Sequence, residues 1–141
     1  GAKQQCMVIP FAQGDFTANT ETDSGFDCPT NALMLPSPFV LVSAIDATET
    51  INVGTDSNDS GDADGFIAGV SIATAGVVKA TIANGANTLG ALFEVQDSAN
   101  AGDLTHEGHV SAGKSITYTT SAGSDTGSLW QPVLSTVVLA R

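Results

Sequence analysis

Short apolar runs separated by polar, glycine-rich stretches recur along the 141 residues, and several of these runs alternate with the period of two that marks strands. The first, CMVIPFA, reads as a strand and leads into a polar loop, GDFTANTETDSGFDCPTN. In ALMLPSPFVLVSAIDAT, Pro36 and Pro38 rule out one long helix. The apolar residues of PFVLVSAI are continuous, which predicts a strand buried on both faces. TINVG is a further short strand. VVKATIA and TLGALFEVQ form a pair joined by Asn84-Gly85, a dipeptide suited to a tight hairpin turn. In TLGALFEVQ, Leu89, Ala91, Phe93 and Val95 share one face, opposite Gly90 and Glu94. SITYTTS places Ile116 and Tyr118 inward and Thr117 and Thr119 outward, SAGSDTG is a loop, and WQPVLSTVVLA closes the chain as a strand. One short helix is expected in DGFIAGVSIATAG. Asp64 would cap it, Phe66, Ile67 and Val70 would form its apolar face, and Gly76 would end it. About seven or eight strands with regular turn signals predict an all-β fold, a jelly-roll-like β-sandwich in a single domain over residues 1–141.

Composition supports strands and narrows the partners. Apolar residues make up 42% of the chain but aromatics only 6%, so the core is built of small and β-branched side chains. Fifteen acidic residues face four basic ones, a net charge of -11. Nucleic acid is therefore not expected as a partner, because its phosphates require clustered Lys and Arg. An anionic membrane surface is excluded on the same ground, and no apolar window is long enough for a membrane-spanning helix. The opening GAKQQCMVIPFAQ does not read as a signal peptide. Cys6 sits in an apolar run and is expected to be buried, Cys28 in a polar loop and more exposed, with free thiols favoured over a disulfide.

Two clusters invite a chemical reading. DSNDSGDADGF, residues 56–66, follows part of the calcium-loop pattern, with Asp56, Asn58, Ser60 and Gly61 at the first, third, fifth and glycine positions. The twelfth position, which should supply a bidentate Glu, is Ile67. The favoured reading is a solvated turn in which Asp62 or Asp64 caps the following helix. A calcium-dependent binding or adhesion module using Asp56, Asn58, Asp62 and Asp64 is the alternative. The second cluster, LTHEGHV, holds His106, Glu107 and His109, but its histidines are three apart across Gly108 rather than four apart on a helix, and the chain has no third histidine. No G-x-S-x-G elbow occurs, and SAGKS lacks the earlier glycine of a phosphate-binding loop. The reading is a protein with no catalytic, cofactor-binding or metal residues. Trp130, the lone tryptophan, is expected to anchor the core or its rim, with a subunit contact as second reading.

Two stretches resemble a known class. Residues 49–93, ETINVGTDSNDSGDADGFIAGVSIATAGVVKATIANGANTLGALF, and residues 113–128, GKSITYTTSAGSDTGS, are similar to small structural proteins of tailed bacteriophage virions, including capsid decoration and other auxiliary head proteins. The resemblance implies a β-sandwich that acts by assembly on the capsid surface, as a homo-oligomer with a trimer favoured. The major capsid protein or other virion proteins would be its partners. It further implies a virion location after assembly in the bacterial cytoplasm, where Cys6 and Cys28 would begin reduced.

Overall fold

The computed structural model describes residues 2–12, 15, 17–30, 32–44, 49–81, 88–93, 113–122 and 126–136. Nine strands occur among them: β1 (Ala2–Phe11), β2 (Thr22–Asp27), β3 (Ala32–Met34), β4 (Phe39–Ala44), β5 (Thr50–Thr55), β6 (Ile67–Ser71), β7 (Gly76–Lys79), β8 (Ser115–Thr120) and β9 (Thr126–Thr136). Every ladder is antiparallel, and the pairs are nested: β5 with β6, β4 with β7, β2 with β8, and β1 with β9. This is one long hairpin rolled around a core. The ladders β4–β9 and β5–β8 stitch the roll into two sheets. One sheet runs β1-β9-β4-β7 with β3 also on β9, and the other runs β2-β8-β5-β6. With β3 set aside, the orders are first-eighth-third-sixth and second-seventh-fourth-fifth, the double Greek key of a jelly roll.

Alternation along the strands sets what lies between the sheets. From the first sheet, Ile9, Phe11, Val40, Val42, Leu129 and Val133 point inward, and from the second Ile51, Val53, Val70, Ile116 and Tyr118 meet them. Tyr118 links the layers, packing edge-on against Phe11 at 5.9 Å and donating its hydroxyl to the Pro10 carbonyl at 3.3 Å. Burial, aided by the charges of Asp15 and Asp23, pushes that phenol up to about 12. Gln131 also faces inward, and its amide donates to the Leu35 and Pro132 carbonyls.

The structure departs from the sequence reading at several points. The helix expected in DGFIAGVSIATAG is strand β6, and Asp64 caps nothing; the helical residues described are a 3-10 turn, Ser57–Asp59. Phe66, Ile67 and Val70 are buried as expected, but as part of a sheet in which Gly69, at φ 72°, makes the bulge between β5 and β6. Strand β2 lies inside the stretch read as a polar loop, because an edge strand with polar side chains leaves little hydrophobic signal. Strand β4 is buried on one face only, with Leu41 and Ser43 exposed. The TLGALFEVQ strand is not seen over residues 88–93: Leu89 makes an isolated bridge to Ile67, and Ala91, Leu92 and Phe93 form a turn. Ala91 is accordingly exposed, while Leu89 and Phe93 are buried, Phe93 stacking on Phe66 at 5.3 Å. Asn84-Gly85, Glu94 and Val95 lie outside the described residues. Pro36 and Pro38 do separate β3 from β4.

The cysteines exchange places. Cys6 is exposed, because Met7, Ile9 and Phe11 take the core-facing positions of β1 and Cys6 falls on the alternate face. Cys28 is buried, since its N–H and C=O pair with Lys114 and Gly113 and continue the β2–β8 ladder. Burial and the charge of Asp27 push its thiol up to about 11. Neither is in a disulfide.

Candidate functional site

The aspartate-rich stretch is the turn at the tip of the rolled hairpin, joining β5 to β6. Asp56 caps the 3-10 turn, its Oδ1 accepting from the Asn58 N–H at 2.9 Å, and Ser60 ends it in the left-handed conformation at φ 55°. The chain then folds back onto its own strand. The Thr55 N–H donates to the Asp62 carbonyl at 2.8 Å, the Asp62 N–H donates to Thr55 Oγ1 at 2.9 Å, and the Phe66 N–H reaches the Val53 carbonyl at 2.9 Å. Position 54 must be glycine for this return path, because a Cβ there would lie 1.9 Å from the Asp62 carbonyl oxygen.

Two partners from distant segments hold the turn down. The Glu21 carboxylate accepts from the Ser57 N–H at 3.0 Å, from the Ser57 hydroxyl, and from the Thr117 hydroxyl at 2.8 Å. Partial desolvation opposes ionisation of Glu21, but these hydrogen bonds outweigh it and hold the carboxyl below its ordinary value. Lys114 donates its ammonium to the Asp59 carbonyl and forms an ion pair with the Asp59 carboxylate at 3.9 Å. Asp64 is raised, first by a hydrogen bond with the Asp62 side chain, then by partial burial and the charge of Asp62. The four proposed calcium ligands are thus spread over the turn. Asp56 and Asn58 are tied to each other at its start, and Asp62 and Asp64 to each other past its middle. No cluster of three or more His, Cys, Asp or Glu side chains placed to hold a metal occurs among the described residues. His106, Glu107 and His109 lie outside those residues.

A second surface was not read from the sequence. The outer face of the β1-β9-β4-β7 sheet carries a row formed by Val8, Trp130 and Phe39, set by the pairings Val8–Trp130 and Phe39–Trp130. Phe39 and Trp130 stack with ring planes 11° apart and centroids 5.6 Å apart, and the indole N–H donates to Ser128 Oγ at 2.9 Å. Trp130 is therefore half-buried on the outside of the sandwich rather than in its core. In the next row Leu41 pairs with Val77, and Val8, Leu41 and Val77 are 40%, 36% and 57% exposed. A cleft of about 300 Å³, lined by Pro36, Pro38, Phe39, Lys79 and Pro132 among others, opens at one end of this face. The signal is present in β9 and β4, where both alternate positions are largely apolar, but in β4 that continuity reads as burial on both faces.

No helix among the described residues is long and apolar enough to cross a membrane. Compared with known proteins, the chain matches no family model, no curated protein and no solved structure.

Proposed function

We propose that this chain is a non-enzymatic virion structural protein, a capsid decoration or stabilising subunit that acts by oligomeric assembly on the capsid surface. The observation that carries the reading is the strand order, a rolled hairpin in one five-stranded and one four-stranded layer, an architecture used by viral capsid subunits and by lectins. Fold alone does not assign function. The resemblance of residues 49–93 and 113–128 to phage head proteins adds to it, as does a strongly acidic composition suited to an exposed particle surface. Mass-spectrometric census of purified phage particles, with rebinding of the protein to capsids stripped of it, is the test. Absence of the chain from particles together with failure to rebind overturns the reading.

The second reading is a calcium-dependent adhesion module at the β5–β6 turn. It is favoured by the Asp62–Asp64 pair, whose mutual repulsion a cation would relieve. A cation that binds only the native state must raise its stability. A thermal midpoint unmoved by millimolar calcium or by chelator removes this reading and leaves the first intact.

A further inference from the structure

We infer that the outer face of the β1-β9-β4-β7 sheet is where one copy of this chain meets a second copy; the inference rests on the assembly reading and names its surface. Inward and outward positions alternate, so the outward set follows from the register. It places Val8, Trp130, Phe39, Leu41 and Val77 side by side, a continuous apolar field of the kind that marks contact sites. Aromatic residues at the centre of such a field are the usual energetic anchors.

Charge selects the occupant. The chain carries a net -11, and copies of it repel unless they approach where the field is weak. Among the described residues, no outward position of this sheet holds a carboxylate, and its charged side chain is Lys79 at the edge strand. The carboxylates of Asp23, Asp27, Asp56, Asp59, Asp62 and Asp64 belong instead to the second sheet and its hairpin tip. A basic partner would be drawn to that acidic side. The face cleared of carboxylates suits another acidic particle, and the copy itself is one. Its extent is adequate. Three strands alongside the eleven residues of β9, plus the four of β7, cover on the order of 600 Å² in plan at strand spacing, near the ~800 Å² each partner gives to an ordinary stable interface.

Cys6 provides a reporter that needs no mutation, since it lies outward on β1 opposite Pro132, while Cys28 is buried and silent. The experiment combines sedimentation of the full chain across a concentration series with the rate of Cys6 alkylation, for the unaltered protein and for Val77→Asp. Expected are concentration-dependent assembly, slowing of Cys6 alkylation as assembly proceeds, and self-association weakened about 100-fold or more in Val77→Asp, because an unpaired carboxylate is buried at the contact. Assembly that survives Val77→Asp with Cys6 alkylated at its dilute rate overturns this face and leaves the assembly reading standing. A protein that stays monomeric, yet shows Cys6 protected on stripped capsids, overturns the second copy as occupant and leaves the virion reading standing. Monomers with no protection anywhere overturn both. Should Val77→Asp lose its native circular dichroism, Leu41→Lys and the alkylation rate of the unaltered protein decide.

Discussion

Replacing Glu21 tests whether the acidic turn is a structural clasp. Glu21→Ala removes the acceptor for the Ser57 N–H, the Ser57 hydroxyl and the Thr117 hydroxyl. Ser57 is exposed and can turn to water, so its two bonds are replaced at little cost. Thr117 is only 2% exposed and cannot. A buried hydroxyl left without a partner costs about 1–3 kcal/mol, and the charge-assisted bond lost with it places the whole substitution at about 2–3 kcal/mol. Thr117→Val alone strands only a carboxylate that water can reach, and should cost about 1 kcal/mol. The double variant removes both halves of the buried contact and should cost less than the sum of the singles by about 1 kcal/mol.

Urea unfolding followed by circular dichroism at neutral pH measures all four corners of this cycle. The pH dependence supplies an independent check. The folded-state carboxyl of Glu21 is held below its ordinary value, so its contribution is fully present above the unfolded-state value of about 4.3 and disappears as the pH falls through the lower folded-state value. The gap between unaltered protein and Glu21→Gln should therefore narrow on acidification below about pH 4. Additive singles, or a Glu21→Ala midpoint indistinguishable from the unaltered protein, would refute the clasp.

Three other substitutions or probes follow from the same geometry. Gly54→Ala sets a Cβ against the Asp62 carbonyl oxygen; the neighbour is backbone, so the cost should reach about 3 kcal/mol and lower the thermal midpoint by about 10 °C in calorimetry. An unchanged midpoint would mean that the turn does not lie on β5. Thr120→Val should be neutral or stabilise by about 1 kcal/mol, since the Thr120 hydroxyl is buried and finds no partner, and a loss in urea unfolding would show a bond that the geometry lacks. Cys28 should resist thiol reagents in the native state and react only on unfolding, because its thiol is both buried and raised to about 11; fast native labelling in a Cys6→Ser background would contradict its burial.

The sequence made the sandwich legible because alternation survives in strands with one wet face. SITYTTS and CMVIPFA both became strands, β8 and β1. It misled where a local signal had a nonlocal cause. Phe66, Ile67 and Val70 fit a helical face as well as a bulged strand, and only the partner strand β5, with Gly69 in the left-handed region, selects the strand. Thr117 reads as an outward surface threonine, and it does point outward; yet it is buried, and its hydroxyl is bonded by Glu21, ninety-six residues away in the chain. Neighbouring composition misleads for both cysteines: alternation along β1 decides the exposure of Cys6, and Cys28 extends the β2–β8 ladder through Lys114.

The rolled-hairpin topology explains why the acidic turn and the apolar face belong to one design. Rolling a hairpin leaves its tip, the β5–β6 turn, against one sheet, with the first and last strands β1 and β9 paired in the other. The tip must make a sharp return, which favours Asp, Asn, Ser and Gly, so the carboxylates gather on the second sheet for reasons of turn chemistry. Strand β9 is flanked along its length by β1 on one side and by β4 and β3 on the other. Its long outward row, Ser128, Trp130, Pro132 and Leu134, therefore lies inside the sheet rather than at an edge. Among the described residues, the carboxylates of the tip and the exposed apolar side chains are thereby separated onto opposite outer faces of the same sandwich. Had the outward row of β9 been a consequence of strand propensity alone, threonines would serve as well as tryptophan and leucine there. Substituting Trp130→Thr should then leave self-association unchanged, whereas a contact role for the Phe39–Trp130 stack makes it fall about tenfold or more with the monomer still folded. Sedimentation equilibrium of that one variant distinguishes the two.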